Sequence, residues 1–148
     1  ASKFEPHYRV IRNAEQVQIY ESVLSDPAGR VTTGLLNAVG YLKDNRVLPR
    51  GFDKSTASSD IAVVGDAVSD EDFNDAGHAV AYSIDVSQPG TPLQIEVELL
   101  YQPIGYRWAH NLAPYDEPEP RRFVSYFDSM KSATAVALAA AKTSVRPD

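Results

Sequence analysis

Apolar and polar residues alternate most regularly in Leu93 to Tyr101, where Leu93, Ile95, Val97 and Leu99 share one side and Gln94, Glu96 and Glu98 the other. A period of two with β-branched residues predicts a strand in a sheet that is wet on one face. Ala79 to Val86 alternates in the same way, and the intervening SQPGTP has turn chemistry. Together they predict an antiparallel hairpin whose Leu93, Ile95, Val97 and Leu99 face the core. Earlier, VQIYESV at Val17 to Val23 predicts another strand, closed by a turn at Ser25-Asp26-Pro27-Ala28-Gly29. Val31 to Leu42 fits a strand through Val31, Thr33, Leu35, Val39 and Tyr41, or a helical face through Leu35, Leu36, Val39 and Leu42. Gly34 and Gly40 weaken a short helix and favour the strand.

The remaining segments complete a mostly β chain. Lys43-Asp44-Asn45-Arg46 and Pro49-Arg50-Gly51 are turn-rich, and Asp53 to Asp60 is a polar loop. Ile61 to Val64 predicts a short strand. Asp66 to Gly77 predicts an acidic surface loop from which Phe73 dips back to the core. Three prolines in Pro114 to Pro120 prevent regular structure there. After them Phe123, Tyr126, Phe127 and Met130 lie at i, i+3, i+4 and i+7, one stripe of a short helix around Arg121 to Met130. Ala133 to Ala141 either extends that helix or forms a last strand through Ala135 to Leu138. The expected fold is all-β: one antiparallel β-sandwich domain over residues 1–148, immunoglobulin-like or jelly-roll-like, with one short C-terminal helix, as part of a longer polypeptide.

Composition narrows the function classes. With 148 residues and 43% hydrophobic positions the chain can bury a core without disulfides or metal. A net charge of −6, with basic residues scattered, disfavours nucleic acid and anionic lipid as partners. No apolar run approaches the ~20 residues of a membrane helix, so no membrane insertion is expected. The absence of cysteine excludes disulfides, thiolate metal sites, a cysteine nucleophile and covalent haem attachment within this chain.

Three segments together point to a family: QIYESVLSDPAGRVTTGLLNAVGYLKDNRVLPRGFDK, the hairpin ending VELLYQPIGYRWAHNL, and YDEPEPRRFVSYFD. They resemble the C-terminal, haem-free β-sandwich region of bacterial multihaem cytochrome c family proteins, where a strand leads into a DNR-type turn followed by Pro and a later strand ends in a Leu-Leu-Tyr-like run. The resemblance spans roughly Tyr8 to Asp128. It implies a periplasmic or extracellular location and an accessory role beside an electron-transfer domain. It also implies that haem belongs to other parts of the parent polypeptide, with no cofactor in this chain. The partners it implies are those other domains or a redox partner protein.

Candidate chemistry is sparse. His7, His78 and His110 lack metal-ligand spacing and read as surface or core-edge residues, unless the fold gathers them into a shared site or one ligates an external haem. Asp70 to Asp75 offers oxygen ligands of the kind Ca²⁺ accepts, yet it lacks the glycine and the glutamate of an EF-hand and reads as a solvated loop. No Gly-x-Ser-x-Gly elbow and no glycine-rich phosphate loop is present, so no catalytic residues are assigned and the chain is read as a non-enzyme. The candidate binding residues are Tyr101, Tyr106, Arg107, Trp108 and His110. Their aromatic faces present apolar area with little side-chain entropy to lose, and Arg107 adds directional donors. They either plug one end of the sandwich, with Arg107 paired to Asp116 or Glu117, or they contact a partner domain or stack on carbohydrate.

Overall fold

The computed structural model describes residues 4–86, 90 and 92–145. They form two compact units, Ala1–Asp85 and Val86–Asp148.

In the first unit, β1 (Val10–Ile11) pairs in parallel with β5 (Ala81–Tyr82). The same unit holds a three-stranded antiparallel sheet in the order β3-β2-β4, formed by β2 (Ser22–Ser25), β3 (Val31–Thr32) and β4 (Gly40–Asp44). The β2–β3 turn is organised by Asp26, whose carboxylate accepts the Ala28 and Arg30 amides at 2.9 Å each and pairs with the Arg30 guanidinium at 2.7 Å. From β4 the pairing continues to Val64, where Asp44 and Val64 exchange backbone hydrogen bonds of 3.0 Å. Gly65 follows with φ +86°, a conformation that L side chains rarely adopt. That turn leads into the 3-10 turn Asp66–Ser69 and delivers Asp70 to the interior. The core of this unit is Val63, Ala67 and Phe73, with Tyr20, Leu48 and Phe52 packed against it.

The second unit has a long antiparallel ribbon of β6 (Leu93–Tyr101) and β7 (Val136–Val145), irregular between Leu99 and Leu100. Between its strands lie α1 (Tyr106–His110) and α2 (Pro118–Met130). Pro118 and Pro120 are tolerated because they sit in the first turn of α2, where backbone N–H groups have no intrahelical acceptor. Glu119 in the same turn complements the helix dipole.

These elements correct the expected fold. Among the described residues, seven strands in three small sheets, one pair of them parallel, with helices between, make a mixed α/β fold in place of an antiparallel β-sandwich of immunoglobulin or jelly-roll type. Among the described residues the predicted hairpin does not form: β5 pairs with β1 and β6 with β7, because alternation marks a strand without naming its neighbour. Of the SQPGTP turn, residues 87–89 and 91 lie outside the described residues. Leu93 and Ile95 are only half-buried, and Val97 is 47% exposed, so their shared face is not the buried face it was expected to be.

Smaller expectations divide. The strand expected at Val17 to Val23 lies instead at Ser22–Ser25, sharing only Ser22 and Val23 with it, and Val31 to Leu42 holds β3 and the start of β4 flanking a turn at Leu35 to Asn37. Ile61 to Val64 supplies a single bridge in place of a strand. Phe73 does dip into the core, at 1% exposure, and the helix ending at Met130 is present. Of its apolar stripe only Phe127 is buried. The alanine-rich segment lies mostly in β7.

Candidate functional site

The site is a buried centre in the first unit, built from segments far apart in sequence. His7 precedes β1, Tyr20 precedes β2, Asn45 follows β4, Asp70 follows the 3-10 turn, and His78 lies before β5. Asp70 Oδ2 lies 3.0 Å from His7 Nε2 and 3.1 Å from His78 Nε2. The two imidazoles stack with centroids 4.4 Å apart, and Phe73 meets both edge-on at 5.0 and 5.5 Å. The side chains of His7, Asp70 and His78 are almost wholly buried.

The protonation of this centre follows from its hydrogen bonds. Asn45 is held by the backbone: its Oδ1 accepts the Glu21 amide at 3.0 Å and its Nδ2 donates to the Ile19 carbonyl at 3.0 Å. Its orientation is therefore set, and Nδ2 also donates to His7 Nδ1 at 3.0 Å. Gln18 is held likewise. Its Oε1 accepts the Tyr8 amide at 2.7 Å, so its Nε2 donates to the same His7 Nδ1 at 3.2 Å. A ring nitrogen that receives two donors carries no proton, so the His7 proton is on Nε2 and is donated to Asp70.

His78 has the same tautomer for a different reason. An ionised Asp70 can only accept, so His78 Nε2 donates to it, and in the neutral ring His78 Nδ1 then accepts from the Tyr20 hydroxyl at 2.8 Å. Burial would raise the Asp70 pKa, but hydrogen bonds from His7, the Asp72 amide and His78, with the Arg9 charge, hold it below its usual value. For His7, burial is the largest influence and lowers its pKa; Asp70 acts against this, while His78 and Lys43 reinforce it. Tyr20 is raised, by burial first and then by Tyr82 and Asp70, so its phenol keeps its proton.

Charged neighbours close the surroundings. Arg9 Nε lies 3.5 Å from Asp70 Oδ1, and its guanidinium also binds the Ser69 carbonyl. The buried Lys43 ammonium donates to the Glu5 and Ile19 carbonyls at 2.8 and 2.9 Å and lies 3.5 Å from Glu21. Asp44 and Arg46 pair at 2.6 Å. Lys43 and Asp44, which end β4, and the Asn45 and Arg46 that follow thus tie the N-terminal segment, the approach to β2 and β4 into one network, where a turn was expected from the sequence.

His7, Asp70 and His78 also present three potential metal-ligating atoms within 4.8 Å of one another. Their geometry suits a divalent cation with two histidines and one carboxylate. The tautomer does not. A metal on His7 Nε2 requires the remaining proton on Nδ1, where Asn45 and Gln18 both aim donors. Turning either amide would set a donor against a backbone N–H of Glu21 or Tyr8. As built, the centre is closed by hydrogen bonds and its residues do not fit a metal.

The binding residues expected from sequence lie elsewhere, in the second unit. Tyr106, Arg107, Trp108 and His110 share α1, while Tyr101 ends β6. Tyr106 stacks on His110 at 3.8 Å, His110 Nε2 lies 3.2 Å from Asp128, and Phe127 meets both rings edge-on. Tyr106 and Trp108 are exposed, Trp108 at 41%, so they do not plug a core. Asp116 pairs with Arg121 at 3.3 Å. His110 belongs to the second unit, and within the first the fold gathers His7 and His78. Sequence reasoning singled out His7, His78 and Asp70 separately, but no local spacing joins positions 7, 70 and 78. Comparison with protein-family models, curated proteins and solved structures finds no match to this chain.

Proposed function

We propose that this chain is a non-catalytic accessory module of a multihaem cytochrome c-like electron-transfer protein, acting in the periplasm or at the cell surface. The observation that carries the non-catalytic reading is the filled hydrogen-bonding capacity of His7, Asp70 and His78. His7 accepts from Asn45 and Gln18 and donates to Asp70; His78 accepts from Tyr20 and donates to Asp70. A general base needs a free lone pair facing a substrate, and these are spent within the chain. The electron-transfer context draws on the resemblance through the Asp44-Asn45-Arg46 segment, whose Asn45 and Arg46 have partners that give the motif a physical role.

The proposed contact with haem-bearing domains is through Tyr106, Arg107, Trp108 and the adjoining Tyr101. Trp108, the only tryptophan, gives the test. Titration with a soluble multihaem cytochrome c should quench its emission saturably, because haem accepts energy from a nearby indole, and Trp108→Phe should remove the signal. Absence of saturable quenching across a panel of such cytochromes would refute the contact. The exposure of Trp108 also favours carbohydrate stacking as a second reading. Saturable fluorescence change with soluble oligosaccharides and none with cytochromes would select it.

A further inference from the structure

We infer that Tyr20 is a redox-active tyrosine, with His78 as the base that takes its proton when an electron is removed. The inference stands on the first unit alone and is independent of where the parent protein holds haem.

Removing an electron from a phenol makes its O–H intensely acidic. Oxidation to a neutral radical is therefore easiest where a base already accepts that hydrogen bond, and hardest where the proton has nowhere to go. Tyr20 has such a base at 2.8 Å, the Nδ1 of His78. That lone pair is closed to any outside substrate but faces the Tyr20 hydroxyl itself, because the His78 proton is committed to Asp70 on the other side of the ring. The imidazolium formed on proton transfer would donate to both neighbours, with the Asp70 carboxylate stabilising its charge. His7 cannot serve in its place, because its Nδ1 is occupied by Asn45 and Gln18. Tyr20 packs against the Val63, Ala67 and Phe73 core, and Phe73 lies parallel to its ring at 6.4 Å. That packing limits access of water and radical scavengers to the ring.

The step balances with an outer-sphere one-electron oxidant of the strength of tris(bipyridine)ruthenium(III). The Tyr20 O–H bond breaks, its proton forms an N–H bond at His78 Nδ1, and the electron reduces ruthenium(III) to ruthenium(II). Reduction of the radical returns the proton to oxygen. Tyr8 is the internal comparison: its hydroxyl donates at 2.7 Å to the Glu5 carboxylate, so it has a base of another kind and none of the His78–Asp70 support.

The test is flash-quench oxidation of the whole chain by photogenerated tris(bipyridine)ruthenium(III), followed by electron paramagnetic resonance. The expected product is a neutral tyrosyl radical that is retained in Tyr8→Phe and lost in Tyr20→Phe. In His78→Gln its formation should slow at least about tenfold, since a positioned base contributes on that scale or more. Circular dichroism checks that each variant is folded. Should a variant not fold, the wild-type radical itself decides: nitrogen-15 histidine labelling should reveal a histidine nitrogen sharing an exchangeable proton with the phenoxyl oxygen. A radical confined to Trp108 or to other tyrosines, an unchanged yield in Tyr20→Phe, an unchanged rate in folded His78→Gln, or no histidine coupling would each overturn the inference.

Discussion

Asn45 donates to His7 Nδ1 across 3.0 Å while its own amide is held by Ile19 and Glu21, so the residue just after β4 dictates which nitrogen of a histidine distant in sequence carries the proton. Thirty-eight residues separate the two. Asn45 is fully buried. Its replacement by Ala would leave the Glu21 amide, the Ile19 carbonyl and His7 short of a partner, at a cost of about 2–4 kcal/mol. Chemical denaturation should show this as a lower midpoint with little change in slope, and a loss under about 0.5 kcal/mol would show that the network contributes little.

Acid should loosen the first unit in two stages. The His7 pKa is lowered from 6.5 on folding, so the unfolded chain binds more protons and stability begins to fall as pH drops below about 6.5. That contribution is gone below the folded-state value. Asp70 is lowered from 3.8, so its contribution is full above that pH and is lost as pH falls through its folded value. Thermal melts from pH 8 to pH 3 should therefore decline throughout the acid range, with the His7 portion abolished in His7→Gln. A melting temperature that rises on acidification from pH 7 to pH 5 contradicts this sign.

Zinc offers a direct check on the tautomer. With Nε2–H on both histidines, Zn²⁺ should show no saturable one-to-one binding by calorimetry and no stabilisation in a thermal melt, since only a ligand preferring the folded state stabilises it. Long-range nitrogen-15 spectra should show His7 protonated at Nε2. Tight zinc binding accompanied by movement of the His7 proton to Nδ1 would establish a metal centre instead.

Core and ribbon substitutions should separate clearly. Phe73 is 1% exposed and packs on both histidines, so Phe73→Ala should cost about 3–5 kcal/mol. Val97 is 47% exposed, and Val97→Asp should cost about 1 kcal/mol or less, mainly through lost strand propensity and apolar contact. Equal destabilisation by the two, measured by denaturant titration, would mean that the β6–β7 face is covered in solution.

Trp108 provides an optical check of the second unit. At 41% exposure its emission should lie toward long wavelength and be readily quenched by acrylamide. Trp108→Ala should cost less than the about 3–5 kcal/mol of a buried aromatic deletion. Blue-shifted emission that resists quenching would place the indole in a protected environment.

Part of this organisation was legible in local pattern. The alternation in Leu93 to Tyr101 marks β6, and the spacing of Phe123, Phe127 and Met130 marks α2. Each signal describes a segment's own geometry. Neither states a partner: the same alternation would serve a sheet with β5 or with β7, and the observed choice lies with the 136–145 segment. For the same reason a binary pattern suggested a buried face on β6 that proves half open at Val97.

By itself the sequence determined the chemistry that is possible: no thiolate, three imidazoles, a single indole, acidic net charge, and turn residues such as Pro27 and Gly29 where the chain reverses. Tertiary structure decided which groups meet. His7, Tyr20, Asn45, Asp70 and His78 come together only because β4, the Gly65 turn and the segment before β5 converge on Phe73. The protonation of the centre lies further from the sequence still. It depends on the backbone groups that hold Asn45 and Gln18, and hydrogen-bond direction is a property of positions in space that residue order does not carry.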